Sequence, residues 1–211
     1  TIPARLGWVL MESPCIIVMT VFFGIGASGW NLADPVGIIF YILWIGHYIH
    51  RSWVWPARAH ITGKKMPVSI IIFAIGFNGV NSWINAEWLF GLHHPYPLQW
   101  LYSPQFIIGI ILFITGMGIN IKSDDMLFDL RKNGTTDYTI PYGGLFKWVS
   151  CPNYLGELLE WWGWALATWS LAGLSFAVWG MANLVPRARA NHKWCRENFE
   201  NYPVDRKALI P

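Results

Sequence analysis

Charge is what this sequence has least of. Only 13% of its 211 residues are Asp, Glu, Lys or Arg, against about 25% in soluble domains. A water-facing globular surface is thereby excluded as the main solution. The net charge of +3 is small and dispersed, which removes nucleic acid as a partner. Cysteine is sparse as well. Cys15, Cys151 and Cys195 show no CxxC or zinc spacing, so neither a disulfide framework nor a metal cluster is indicated. No basic segment or small-residue cleavage site opens the chain. Thr1-Ile2-Pro3-Ala4-Arg5 reads as a loop entering a helix, and Thr in the first position points to an upstream segment. Internal repeats and low-complexity tracts are missing too.

What is present is apolar and aromatic: 54% hydrophobic residues and 15 Trp. Tryptophan in that number suits membrane interfaces and aromatic-lined apolar pockets. Six apolar stretches follow one another, at about Trp8–Trp30, Val36–Trp55, Val68–Phe90, Phe106–Ile121, Tyr154–Trp169 and Leu171–Val185. A spanning helix takes about 20 apolar residues, so the last two are short. The connections after the first, third and fifth stretches hold no Lys or Arg. All 15 basic residues lie before the first stretch or after the second, fourth and sixth. By the positive-inside rule both ends of a six-helix chain are cytoplasmic. That side also carries two long polar segments, Lys122 to Lys147 and Arg187 to Pro211. Connections of that length are functional or disordered when they lack structure of their own.

Polar groups inside the apolar stretches are the candidates for chemistry. Asn153, Glu157 and Glu160 recur at i, i+4 and i+7, on one face of a helix that runs on into Trp161 and Trp162. Carboxylates in such a setting need a partner, a cavity or a ligand. Glu12, one turn after Trp8 and two after Arg5, either reaches headgroups or a neighbouring cation, or is a buried acid that keeps its proton and donates a hydrogen bond. His47, Tyr48, His50 and Arg51 form either an aromatic belt with a basic flank or a site. In a site, the Tyr48 hydroxyl would polarise a carbonyl and Arg51 would meet a phosphate. Asn120 and Asp124 are i, i+4, with Asp125, Asp129, Arg131 and Lys132 after them, as on a charge-laced solvated helix or a ligand site. The last segment, with Arg187, Arg189, Asn191, His192, Lys193 and Arg206, is a basic tail on anionic lipid or, given its acids and its ending in Ala208-Leu209-Ile210-Pro211, a folded cap. Together these sets compose a dinucleotide site: arginines for phosphates, amides and carboxylates for ribose hydroxyls and carboxamide. Gly24-Ile25-Gly26-Ala27-Ser28-Gly29 matches GxGxxG, but no strand precedes it, and helix packing is the better reading. Asn133-Gly134-Thr135 matches a glycosylation sequon on the cytoplasmic side, where it is not used.

The chain also resembles the steroid 5α-reductase family. The likeness is carried by Gly116-Met117-Gly118-Ile119-Asn120-Ile121, Leu130-Arg131-Lys132, Ile140-Pro141 with Gly143-Gly144-Leu145-Phe146, and Asn153-Tyr154-Leu155-Gly156-Glu157. Ala165 to Leu171, and Tyr202-Pro203 with Arg206 to Pro211, continue it. Upstream it returns in Pro3-Ala4-Arg5, Trp8, Glu12, His47-Tyr48 and His50-Arg51, and it is weakest between Trp53 and Tyr102. The resemblance implies an all-α integral membrane enzyme of seven helices, the first upstream of Thr1, in one transmembrane reductase domain over residues 1–211. About residues 1–100 would be the substrate side and 101–211 the cofactor side. It implies NADPH as cofactor, a steroid such as testosterone or progesterone as substrate, membrane lipid as surroundings, and a monomer. A bacterial member would lie in the inner membrane and a eukaryotic one in the endoplasmic reticulum, with the cofactor side cytoplasmic.

Residue by residue, the family's catalytic pair falls on Glu12 and Tyr48. Its cofactor contacts fall on Asn120, Asp124, Arg131, Tyr138, Asn153, Glu157, Arg187 and Arg206, and Trp8 and Trp161 fall on its aromatic walls. Where eukaryotic members have His and Tyr, this chain has Asn191 and Cys195; Asn191 and the adjacent His192 are carried as cofactor candidates, as is Arg51. Other readings remain: reduction of a different enone, a sterol double bond or a long-chain enoyl thioester on the same fold; methyl transfer to an isoprenylated cysteine, which leaves Glu12 and Tyr48 without a role; and a transporter. A transport path needs polar groups on the non-basic half as well, where the chain offers little beyond Asp34, Asn81, Glu87, His93 and His94.

Overall fold

In apolar surroundings a chain must satisfy its backbone internally, and helices do so within one segment. The computed structural model is built of helices accordingly. It describes residues 1–29, 34–92, 96–131 and 138–211. Lys132, the sequon at 133–135, and His93 and His94 lie outside the described residues. The helices are α1 (Ala4–Gly29), α2 (Pro35–Ile49), α3 (Trp55–Arg58), α4 (Val68–Ala86), α5 (Pro104–Asp129), α6 (Pro152–Thr168) and α7 (Leu171–Asn198). Ala4–Gly26, Val68–Gly91 and Pro104–Asp129 are long and apolar enough to cross a membrane. Ile17, Ile72, Phe73, Ile111 and Ile114 are each more than half exposed, a surface for lipid and not for water. The chain is an all-α membrane protein. Two compact units divide it, Thr1–Ser103 and Pro104–Pro211.

In the first unit α1 packs against α4 and α2. The opening residues, expected as a loop, pair instead: β1 (Ile2–Pro3) lies antiparallel to β2 (Lys65–Met66), with Ile2 opposite Met66. The Ala4 amide donates to the Lys64 carbonyl at 2.9 Å, which fixes the start of α1. Asp34 caps α2 by accepting from the Val36 amide at 3.1 Å, and Pro35 supplies its first turn. α2 then passes through a π-helical turn, His50–Val54, into α3. The glycines at 24 and 26 lie within α1 with no phosphate-type turn. A Cβ on Gly26 would sit 3.1 Å from the Phe90 Cβ, which bears out the helix-packing reading.

In the second unit α5 and α6 approach closely because glycine faces backbone on both sides. A Cβ on Gly156 would come within 2.5 Å of the Asn120 nitrogen and 2.6 Å of the Gly116 carbonyl oxygen. One on Gly163 would meet the Phe113 nitrogen at 2.5 Å and the Gly109 oxygen at 2.6 Å. Such contact with backbone cannot relax by a rotamer change. Gly156→Ala is therefore expected to destabilise the protein by about 1–3 kcal/mol and to lower its thermal midpoint in detergent; an unchanged midpoint contradicts this packing.

Both segments expected as long polar connections are partly helical. α5 carries on to Asp129 and α7 to Asn198, so Asp124 and His192 are held on rigid rods. Within α5 Ser123 returns its hydroxyl to the Ile119 carbonyl at 2.6 Å, and α7 continues through Pro186 in spite of the donor that proline lacks. The closing residues do form a cap. Ser150 and Cys151 amides donate to the Lys207 and Ala208 carbonyls at 2.9 and 3.3 Å, and the Lys207 amide returns to the Trp148 carbonyl at 2.8 Å. Leu209 is buried with Cys151, Leu158, Leu184 and Ala188.

Candidate functional site

In the first unit the register of α1 against α2 is set by one buried bond. The Trp44 indole nitrogen donates to the Cys15 carbonyl at 3.1 Å. One turn from that bond, Glu12 lies on α1 and Tyr48 on α2, towards the Arg5 and Arg51 ends of the two helices. Tyr48 is 2% exposed, wedged between Trp44 at 5.0 Å and the edge of His47 at 4.9 Å. Glu12 is half-buried, and its Oε2 accepts from the Asn78 amide of α4 at 3.2 Å. The unit thus holds an acid and a phenol against apolar helices, with an amide behind the acid. Trp8 is half-buried and meets Trp55 at 4.6 Å. The Arg51 guanidinium lies over both indoles, 5.0 Å from Trp8 and 5.4 Å from Trp55. Arg51 is therefore held against the two indoles of the aromatic belt.

In the second unit the close approach of α5 and α6 brings three of the sequence candidates together. Asn120 donates to the Asn153 carbonyl at 3.0 Å, and the Asn153 amide donates to Asp124 Oδ1 at 3.1 Å. Asn120 and Asp124 are 7% and 5% exposed, so the solvated-helix reading does not hold for them. Glu157 is half-buried one turn beyond Asn153, and Glu160 is fully buried where α6 meets Gly116. Trp161 is buried, with Phe176 at 4.3 Å and Phe113 at 6.2 Å.

A cavity of about 590 Å³ opens beside this network, lined among others by Arg131, Tyr138, Ser150, Asn153, Asn191 and Tyr202. That volume is in the range of small-molecule and cofactor sites. Arg131 lies over Tyr138 at 5.7 Å, and Tyr138 meets Trp194 at 4.9 Å. Arg206 backs the wall. It is 3% exposed, its Nη2 donates to the Pro141 carbonyl at 3.1 Å, and its plane lies 5.0 Å from Tyr202. Its Nε and Nη1 have no hydrogen-bond partner among the described residues. A buried guanidinium with two donors unfilled calls for an anion. Cation, amides, hydroxyls and stacking rings around one cavity fit a dinucleotide. Arg187 is exposed one turn before Asn191 on α7.

His192 enters differently. Ser150 Oγ lies 2.7 Å from His192 Nδ1 and 2.6 Å from the Tyr202 hydroxyl, and it donates to the Lys207 carbonyl at 3.1 Å. Burial, then Arg196, Arg206 and Lys207, hold His192 below its ordinary value of 6.5. A base whose folded pKa is lowered gives stability that is complete above the unfolded value and is lost as pH falls below it. The thermal midpoint is expected to drop between pH 7 and pH 5, and His192→Gln to flatten part of that slope. An unaltered slope contradicts the placement. Burial also raises the Cys151 thiol to about 11, so this wall cysteine is no nucleophile at neutral pH.

Two residues escaped the sequence reading. Asn78 had a signal available, since Asn78, Asn81 and Asn85 recur at i, i+3 and i+7 in an apolar helix. Ser150 had none, because its partners lie more than forty residues away in sequence.

Known proteins resemble this one over its whole length. A family profile described as 3-oxo-5-alpha-steroid 4-dehydrogenase matches residues 64–211. The steroid 5-alpha-reductase DET2 of Arabidopsis thaliana is 41% identical over 217 residues, covering 100% of this chain and 82% of that protein. The 3-oxo-5-alpha-steroid 4-dehydrogenase 1 of Bos taurus is 40% identical over 211 residues, with 100% and 81% covered. Its counterpart in Homo sapiens is 39% identical over 210 residues, with 100% and 80% covered.

Proposed function

The chain belongs to the 3-oxo-5-alpha-steroid 4-dehydrogenase family, and from that premise we propose that it reduces the Δ4 double bond of 3-oxo-Δ4-steroids with NADPH, giving 5α-3-oxosteroids. The observation that carries the reading is the acid and phenol in the first unit, Glu12 backed by Asn78 and Tyr48 wedged against Trp44. Reduction of an enone gathers negative charge on its carbonyl oxygen. Two donors fixed in apolar surroundings stabilise that charge without reorganising, and each is worth about 3–4 kcal/mol. Glu12 must carry its proton to act so, and Tyr48 does at neutral pH.

NADPH, when bound, would supply the hydride that reaches C5, and a proton delivered to C4 would complete the reduction. The residues proposed to hold it are Asn120, Asp124, Arg131, Tyr138, Asn153, Glu157, Arg187, Asn191, His192 and Arg206, with Arg51 on the water-facing side of the first unit. The unfilled Arg206 donors support a phosphate there. Trp8 and Trp161 are proposed as aromatic walls around the nicotinamide and the substrate. About residues 1–100 are proposed to take the steroid role and about residues 101–211 the cofactor role. The chain is a multi-pass monomer with its basic segments, and the cofactor, on the cytoplasmic side. Testosterone and progesterone are suitable substrates. The purified protein in lipid vesicles is expected to consume NADPH only when one of them is added, with an equal amount of 5α-product formed. No NADPH binding, or consumption independent of steroid, overturns the proposal.

A further inference from the structure

The second unit holds another cavity, of about 600 Å³, which shares no lining residue with the one beside Arg131. One wall is a face of α5 and the other is the segment that leads to α6. Glycine sets the path of that segment. Gly143 and Gly144 take φ of 98° and 48°, and a Cβ on them would meet the Met126 side chain at 3.4 and 3.3 Å. The backbone thus lies against Met126 and enters a 3-10 turn, Gly144–Lys147. Phe146 and Val149 are buried, while Lys147 and Trp148 stay exposed and line the cavity. The lining is apolar and cationic at once: Ile119, Met126 and Leu145, with one lysine from each wall, Lys122 and Lys147. No acid lines it among the described residues, and neither lysine has an ion-pair partner among them.

Position decides the kind of ligand. From Pro104 to Ile121 α5 carries no charge, and Lys122 is its first charged residue. Ile111, Thr115, Gly118 and Lys122 recur at i, i+4, i+7 and i+11, all exposed on one face of the helix. From Ile111 to Lys122 the helix rises about 16 Å, which is about half of a ~30 Å hydrocarbon core. The stripe is one leaflet deep and ends in the cavity. Trp148, 55% exposed, is the residue type that sits at headgroup level. We propose that this cavity binds one phospholipid with an anionic headgroup: Lys122 and Lys147 take the headgroup charge, and an acyl chain lies along the Gly118–Ile111 stripe. A soluble phosphate would use the two cations and leave the apolar lining without a partner. A zwitterionic lipid would bring its own cation against the lysines. An anionic lipid answers both halves of the site. The site is independent of the proposed reduction, and its failure leaves that reading untouched.

The test is the fluorescence anisotropy of tail-labelled phosphatidylglycerol added to the full chain in neutral detergent, with tail-labelled phosphatidylcholine as comparison. Phosphatidylglycerol is expected to bind at least tenfold more tightly. Each lysine beside an anionic headgroup adds about fivefold in affinity, so Lys122→Gln with Lys147→Gln should weaken that lipid about 25-fold. Phosphatidylcholine should stay within about twofold, and the NADPH titration should not change. Both lysines are exposed, so the thermal midpoint without added lipid should hold. Gly118→Leu, which fills open space because a Cβ there meets nothing within 4 Å, is expected to weaken both lipids at least fivefold. It carries the test should the lysine pair disturb the fold. Phosphatidylglycerol bound by the double variant as by the native protein would place the lipid elsewhere, on the basic end of α7 for example, and overturns the proposal. Equal binding of the two lipids by the native protein overturns it too. So does displacement of the lipid by equimolar glycerol phosphate, the mark of a soluble-phosphate site. A parallel loss of NADPH affinity in the lysine variant would assign the cavity to the cofactor and overturn it as well.

Discussion

Tyr48→Phe and Glu12→Gln are each expected to lower turnover at least tenfold while NADPH binds as before. The phenylalanine keeps the ring packed between Trp44 and His47 and removes the hydroxyl alone. Loss of one preorganised donor to a developing oxyanion costs about 10²–10³ in kcat, so the tyrosine change should be the larger of the two. Glutamine at position 12 keeps shape and can still donate through its amide, but as a weaker donor than a carboxylic acid. Because the effect lies in the transition state, kcat and kcat/KM should fall together. Near-normal turnover in both variants would remove Glu12 and Tyr48 from the chemistry.

Arg206→Ala is expected to weaken NADPH binding about 10- to 100-fold, the loss of hydrogen bonds to a charged group. The argument is the reverse of an ordinary surface arginine. Arg206 is buried, has spent one nitrogen on Pro141 and rests on Tyr202, and its Nε and Nη1 have no hydrogen-bond partner among the described residues. Desolvation of that cation is offset only when an anion arrives, so the ligand gains more than it would from an exposed lysine. Arg131→Ala, which loses a half-exposed cation over Tyr138, should cost less. A cofactor titration unchanged by Arg206→Ala, in protein whose thermal midpoint shows it folded, contradicts the assignment.

Helices were legible from composition because a run such as Ile70-Ile71-Ile72-Phe73 has few other solutions. Their ends were not. Nothing in Lys122-Ser123-Asp124-Asp125 says helix, and α5 runs through it because Asn153 of α6 takes up Asp124 and Asn120 in turn. That tertiary bond is invisible to a local pattern. Likewise the polar tail after Arg187 looked like a connection until the α7 rod and the Ser150–His192–Tyr202 cluster showed what holds it. Glu157 and Asn153 were found by spacing alone, and Glu160 on the same face proved to be fully buried. Trp161 was named by the resemblance alone, and its contacts with Phe113 and Phe176 could not be read from a local pattern. Asn78 was missed because attention to carboxylates passed over the amide that donates to one of them.

The most direct test of the central claim follows one atom. The protein is incubated with progesterone and NADPH deuterated at the transferable position of the nicotinamide, and the product is isolated. The account predicts a 5α-reduced 3-oxosteroid with the deuterium at C5. Product without deuterium at C5, or no reduced steroid from protein that binds NADPH, would contradict it.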